Sequence, residues 1–183
     1  VGDEKPWIKG MPHIRIEHTT DPSENAIRVA ASNGIAFCTQ SIFLYSEIES
    51  YLNNLGLDWI KRIYPIQHIL DSGVKTALST DAPATSWAVP SDPFPNIKCA
   101  VTRYAYDGTD CGRENCISIE TALALYTREA AQIAGFRRLG QLRPGYKASF
   151  AVLSEDILQV PADRIDQVRV VETYINGNCV YHR

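Results

Sequence analysis

Short apolar runs alternate with stretches of helical periodicity through the first eighty residues. His13 to Glu17 alternates and ends at His18, the pattern of a short strand. Asp21-Pro22-Ser23-Glu24 reads as a helix start. Ile27, Ala30 and Ala31 give residues 25–32 one apolar helical face, and Asn33-Gly34 is the stop. Ile35 to Thr39 is a second apolar strand with Gln40 at its end. Residues 41–58 mix aromatics, acids and an Asn53-Asn54 turn near Gly56, and read as a long loop with a helical turn or two. Trp59 to Ser72 carries Ile60, Ile63, Ile66, Ile69 and Leu70 at helical spacing, with a kink or break at Pro65. Gly73 ends it. A third strand over 74–79 runs into Ser79-Thr80-Asp81-Ala82-Pro83.

The order strand–helix–strand–helix–strand predicts right-handed parallel βαβ units, an α/β class. His18, Gln40 and Asp81 then share one edge of the sheet, where α/β barrels place reactive groups. Asp81 alone has two readings, a turn or helix cap or a reactive carboxylate. The company of His18 and Gln40 favours the second. Residues 82–117 are rich in Pro and Gly and read as a long irregular stretch, with helix around Ile97 to Tyr104. Trp87 and Phe94 lie in it just after Asp81 and are candidate substrate contacts. Ser118 caps a helix over Ile119–Ala134, with Glu120 in its first turn and Gly135 at its end.

From Arg137 onward the pattern becomes turn-rich. Phe150 to Leu153 and Val168 to Ile175 read as strands, and Asn176-Gly177 is a type I′ hairpin signal leading to a return over Cys179–Tyr181. Three strands are marginal for an independent sheet, so this part is expected to pair with strands from elsewhere in the polypeptide. The chain divides into residues 1–136 and 137–183.

Composition narrows the function classes. The 183 residues suit one domain, or one with a small appendage, at 45% hydrophobic and 21% charged content. A net charge of -3 gives no basic excess, which argues against a nucleic-acid partner. No apolar run is long enough to cross a membrane. Val1 rather than Met leaves room for a segment upstream. The five cysteines form no C-x-x-C pair, so a structural zinc site is weakly signalled. Thiols of a reducing, cytoplasmic compartment are the default, with Cys111 and Cys116 the one pair placed to oxidise to each other. Of the other histidines, His13 begins a strand, His68 is mid-helix and structural, and His182 is at the tail.

Four ordered motifs carry a family resemblance. Arg15-Ile16-Glu17-His18 matches an R-I-E-H motif, and Ser79-Thr80-Asp81-Ala82-Pro83 resembles G-S-D-x-P with Ser79 in place of Gly. Tyr126-Thr127-Arg128-Glu129-Ala130-Ala131 resembles Y-T-x-x-A-A. Gly140-x-Leu142-x-Pro144-Gly145-x-Lys147-Ala148 resembles G-x-L-x-P-G-x-x-A. Together they resemble the C-terminal part of metal-dependent amidohydrolases, in the amidohydrolase-3 branch of YtcJ-like and exoenzyme-regulatory (AepA-like) proteins.

The resemblance implies strands six, seven and eight of a TIM-like (β/α)₈ barrel over 1–136, and the C-terminal part of a composite β-sandwich over 137–183. It implies C–N bond hydrolysis of a small-molecule substrate. His18 would be a metal ligand. Asp81 would bind the metal and take a proton from the water it activates. By their places at a strand end and in the stretch after Asp81, Gln40, Trp87 and Phe94 are the candidate substrate-binding residues. The implied cofactor is a divalent metal, zinc by donor chemistry, although iron or manganese fits the same spacing.

The family's first-strand His-x-His, its strand-four bridging residue and its strand-five histidine have no counterpart here. Ser41 and Ser149 stand where the branch carries Pro and Asp. The expectation is therefore a piece of a hydrolase, inactive alone and associated with a missing N-terminal half. The competing reading is a non-catalytic half-barrel that binds or regulates and self-associates through its open edges.

Overall fold

The structure, a computed structural model, describes residues 9–83 and 89–183. Its first sheet is built from β1 (Arg15–His18), β2 (Ala36–Thr39) and β3 (Thr76–Leu78), ordered β1-β2-β3 and parallel throughout. His18 is paired in register with Thr39, and Thr39 with Leu78, so all three strands finish at one edge.

The βα connections form as their caps dictate. In α1 (Glu24–Asn33) the Ser23 hydroxyl accepts from the Ala26 amide at 3.2 Å, and Gly34 closes the helix at a φ of 63°. Its apolar residues Ile27 and Ala30 pack with Phe37 of β2 and with Ile69 and Val74. The other face of the sheet, with Ala36, Cys38 and Ala77, is covered by Ala130 and Ile133. β2 and β3 are therefore buried on both faces, as parallel strands require. Among the described residues β1 pairs with a strand on one side only, and all four of its residues are exposed.

Residues 41–58 are not a loop. They fold as α2 (Ile42–Ser46), α3 (Ile48–Leu55) and the start of α4 (Leu57–Arg62). Leu44 and Ile48 join Ile60, Ile63 and Tyr64 in one apolar cluster, with Tyr51, Leu52 and Trp59 packed against it. Gly56, at a φ of 80°, separates α3 from α4. The break expected at Pro65 is present: α4 ends at Arg62, Tyr64 adopts a φ of 48°, and α5 (Ile66–Asp71) follows.

The stretch after Asp81 contains a helix that begins earlier than expected, α6 (Phe94–Thr102). Phe94 is its first residue and is 4% exposed, packed with Leu78, Ile97 and Leu125 in the main core. The single helix expected over 119–134 is two, α7 (Ile119–Tyr126) and α8 (Arg128–Ile133). The Thr127 hydroxyl donates to the Leu123 carbonyl at 2.7 Å, a local bond that competes with the helical ladder. Gly140 packs so close that a Cβ there would lie 2.5 Å from the Thr127 carbonyl oxygen.

The second sheet is antiparallel, ordered β4 (Phe150–Leu153), β5 (Val170–Ile175) and β6 (Asn178–His182). Asn176 and Gly177 turn the β5–β6 hairpin with φ of 51° and 83°, both positive as a type I′ turn needs. A 3₁₀ segment, Ala162–Gln167, seats this part on α6, where Ile165 and Val168 enter the main core. All five cysteines are free thiols, Cys111 and Cys116 included. No helix among the described residues is long and apolar enough to cross a membrane.

Candidate active site

The shared edge of the parallel sheet opens onto a cavity of about 540 Å³. β1 contributes Arg15, Glu17 and His18, β2 contributes Cys38 with Gln40 just beyond it, and the segment after β3 contributes Ser79, Thr80 and Asp81. Tyr126, Ala130 and Ile133 of α7 and α8 form the facing wall. His18, Gln40 and Asp81 thus line one cavity outside the carboxyl ends of parallel strands, where α/β sheets bind ligands.

The backbone turns away at two of these strand ends. His18 has a φ of 69°, Thr19 of 42° and Asp81 of 58°. Left-handed backbone at residues other than Gly is uncommon and concentrates at functional sites. The His18 carbonyl is held by the Thr39 hydroxyl at 3.1 Å, and the His18 ring lies 5.9 Å from that of Phe43. The Thr80 hydroxyl donates to the Pro90 carbonyl.

Arg15 and Glu17 form an ion pair on the exposed edge strand, which accounts for an arginine in that position. Gln40 is 1% exposed; its Nε2 donates to Ser79 Oγ at 2.8 Å, and its Oε1 is buried without a partner among the described residues. Burial pushes the Cys38 thiol up to about 11, partly offset by Ser79, so it is a neutral wall of the cavity rather than a nucleophile.

The remaining candidates lie elsewhere. Trp87 falls outside the described residues. Phe94 does not reach the cavity, because its ring is part of the core under α6. His68 contacts Glu24 at 3.0 Å on the surface, and His182 lies 3.4 Å from Glu172. Reading the residues alone missed Ser79, Asn96 and Tyr126, which surround the end of β3. Tyr126 carried a signal, as the first residue of a motif to which no role attached. Asn96 carried a fainter one, a polar residue on the apolar face of Phe94, Ile97 and Ala100.

Comparison with known proteins gives the family of the chain. The model of the Amidohydrolase family, the amidohydrolase-3 branch, matches residues 3–181. The chain belongs to the amidohydrolase family. YtcJ of Bacillus subtilis (strain 168), named as an amidohydrolase, is 29% identical over 98% of this chain and 34% of its own length. The N-substituted formamide deformylase of Arthrobacter pascens is 25% identical over 67% of this chain and 22% of its own. The chain spans about a third or less of these relatives.

Solved enzyme structures also superpose on it. A metal-dependent hydrolase of Pyrococcus horikoshii OT3 gives a TM-score of 0.70 at 24% identity, covering 84% of this chain and 31% of its own. A zinc-bound adenosine deaminase of Xanthomonas campestris gives 0.67 at 17% identity, covering 94% and 38%. At these identities the likeness establishes the fold.

The metal-ligand chemistry within this amidohydrolase chain is partial. His18 and Asp81 offer an imidazole and a carboxylate to one cavity, a donor pair that suits zinc. Among the described residues no group of three His, Cys, Asp or Glu side chains stands close enough to hold a metal by itself. Glu17, the other carboxylate at the cavity, is engaged by Arg15.

Proposed function

We propose that this chain is the catalytic C-terminal portion of a hydrolase that cleaves C–N bonds of small amide-type molecules. In this reading residues 1–136 supply strands six to eight of a (β/α)₈ barrel, and residues 137–183 supply part of a composite β-sandwich. The observation that carries it is the meeting of His18 and Asp81 in one cavity at the ends of parallel strands, both leaving in left-handed backbone.

His18 and Asp81 would hold a divalent metal together with ligands from outside the described residues. Such a metal lowers the pKa of water from about 15.7 to near 7 and polarises the scissile carbonyl. Asp81 takes the proton of the attacking water and returns it to the departing nitrogen, so that an amine leaves instead of an amide anion. Gln40, at the cavity, would meet the substrate. Two ligands fall short of the three protein groups a catalytic zinc usually takes, so this portion alone is inactive.

The second reading, a non-catalytic module that self-associates, draws on β1. Its residues are all exposed, Ile16 at 44%, and its outer edge is unpaired among the described residues. A neighbouring strand of the same barrel would cover that edge in the first reading, a second copy in the other.

The test is hydrolysis by the longer protein with zinc, tried first on N-substituted formamides, the class named for the Arthrobacter pascens relative. Amine release that disappears in Asp81→Asn supports the hydrolase. Dimers of the chain with no hydrolysis by any longer form support the alternative.

A further inference from the structure

Behind the cavity lies a buried side chain that joins the strand ends near His18 and Asp81. Asn96, on α6, is 0% exposed. Its Nδ2 donates to the Ser79 carbonyl at 2.7 Å and also to the Tyr126 hydroxyl. Its Oδ1 accepts from the Ser41 hydroxyl, which also lies 3.1 Å from the Asn96 carbonyl. Both N–H donors of the amide are used and its carbonyl is engaged, so it has one orientation consistent with its surroundings.

The partners explain why this matters. Ser41 directly follows Gln40 at the end of β2. Ser79 precedes Asp81 by two residues at the end of β3, and its hydroxyl accepts from Gln40. Tyr126 ends α7, and burial pushes its phenol up, so it stays neutral and hydrogen-bonded. One amide on α6 thus ties two strand ends to the end of a second helix, α7. β3 stops at Leu78, so the Ser79 carbonyl relies on this side chain. Ser41 and Ser79, two departures from the resembled motifs, both supply their polar groups to this network. Asn96, Ser41, Ser79 and Tyr126 are each engaged, and a set of buried polar groups joined in this way favours one geometry.

We infer that Asn96 is a positioning residue: it sets where Asp81 and Gln40 stand relative to each other, with Ser41, Ser79 and Tyr126 as its anchors. The inference rests on the proposed site but concerns geometry that can be read without turnover.

The experiment follows the Asp81 carboxyl carbon and the Gln40 side-chain amide by NMR in the chain, in Asn96→Ala, Tyr126→Phe and Ser41→Ala. Thr76→Val is the control. Thr76 is equally buried on the same strand, and its hydroxyl bonds the Val74 carbonyl at 3.0 Å, away from the site. The expected result is that Asn96→Ala moves both signals and speeds exchange of the Gln40 amide about tenfold or more. Tyr126→Phe and Ser41→Ala move them less, and they carry the test if Asn96→Ala fails to fold. Thr76→Val leaves both in place. In the longer protein kcat falls roughly 10- to 100-fold in Asn96→Ala, with KM within about twofold, as for a catalytic group displaced by a fraction of an ångström.

Signals in the Asn96, Tyr126 and Ser41 variants that match those of Thr76→Val overturn the inference and leave the hydrolase reading standing. Signals that move in a protein with no hydrolysis uphold the positioning role and overturn the hydrolase reading instead.

Discussion

His18 and Asp81 leave the parallel strands β1 and β3 in the same left-handed backbone conformation, at φ of 69° and 58°. Asn and Asp tolerate this region better than other residues with a Cβ, because a short polar side chain bonds locally. Asp81→Asn should therefore keep the folding stability within about 0.5 kcal/mol. Asp81→Val, which keeps neither charge nor tolerance, should lose roughly 1–2 kcal/mol. Urea midpoints measure both. Equal losses for the two would show that the charge, and not the backbone, sets the cost.

A second prediction concerns Arg103, which is fully buried at the end of α6. Its guanidinium donates to the carbonyls of Ile63 at 2.9 Å, Tyr64 at 3.0 Å, Cys111 at 3.0 Å and Gly112 at 3.1 Å. It joins the break after α4 to the 103–112 loop, and the cation meets the negative end of α4. Arg103→Met fills similar volume but leaves these acceptors without a donor. A loss of about 3 kcal/mol or more is expected, read as a lower thermal midpoint. A loss below about 1 kcal/mol, within the worth of one ordinary hydrogen bond, would mean that water replaces the guanidinium.

Alkaline pH should destabilise the fold early. Burial raises Cys99 from 9.0 to about 12 and Cys38 and Cys111 to about 11. Burial, with Asp166 beside it, raises Tyr45 from 10.0 to about 12, and Tyr64 rises further for the same first reason. Each group is neutral in the folded chain over a range where the unfolded chain has already ionised. Their contribution is complete below about pH 9 and is lost as pH climbs toward 12, because unfolding then releases protons. The slope reaches about 1.4 kcal/mol per pH unit for each such group. Denaturation at pH 8, 9.5 and 11 tests this, and Cys99→Ala should flatten the curve. A flat profile for the unaltered chain would contradict the burial of these groups.

The helix break at Thr127 gives a paired prediction. Gly140 and Gly145 have φ of 81° and 83°, but only at Gly140 would a Cβ strike backbone, 2.5 Å from the Thr127 oxygen. Gly145→Ala should lose about 1 kcal/mol, the conformational cost alone. Gly140→Ala should lose clearly more, by chemical denaturation. Equal losses would place Gly140 away from α7 and α8.

Periodicity made the parallel βαβ order legible, along with the common edge of His18, Gln40 and Asp81, the stop at Gly34 and the Asn176-Gly177 hairpin. Each of these is a local pattern. The helical structure over 42–58 was hidden because its helices are short, interrupted at Gly56, and carry Asn53, Asn54 and Glu49 among their apolar residues. The division of 119–134 falls at Thr127, whose hydroxyl bonds the Leu123 carbonyl and against whose carbonyl Gly140 packs from beyond the helix itself. Phe94 looked like a loop aromatic because its helix begins among prolines. The Asn96 network was hidden most deeply, since its partners Ser41, Ser79 and Tyr126 are brought together only by the tertiary fold.

The most direct measurement is the zinc content of the longer protein by native mass spectrometry, for the unaltered form, His18→Ala and Asp81→Asn. If His18 and Asp81 share a metal, the unaltered protein retains zinc through buffer exchange and both variants lose most of it while staying folded. Full zinc occupancy in both variants would contradict the account and remove these two residues from the site.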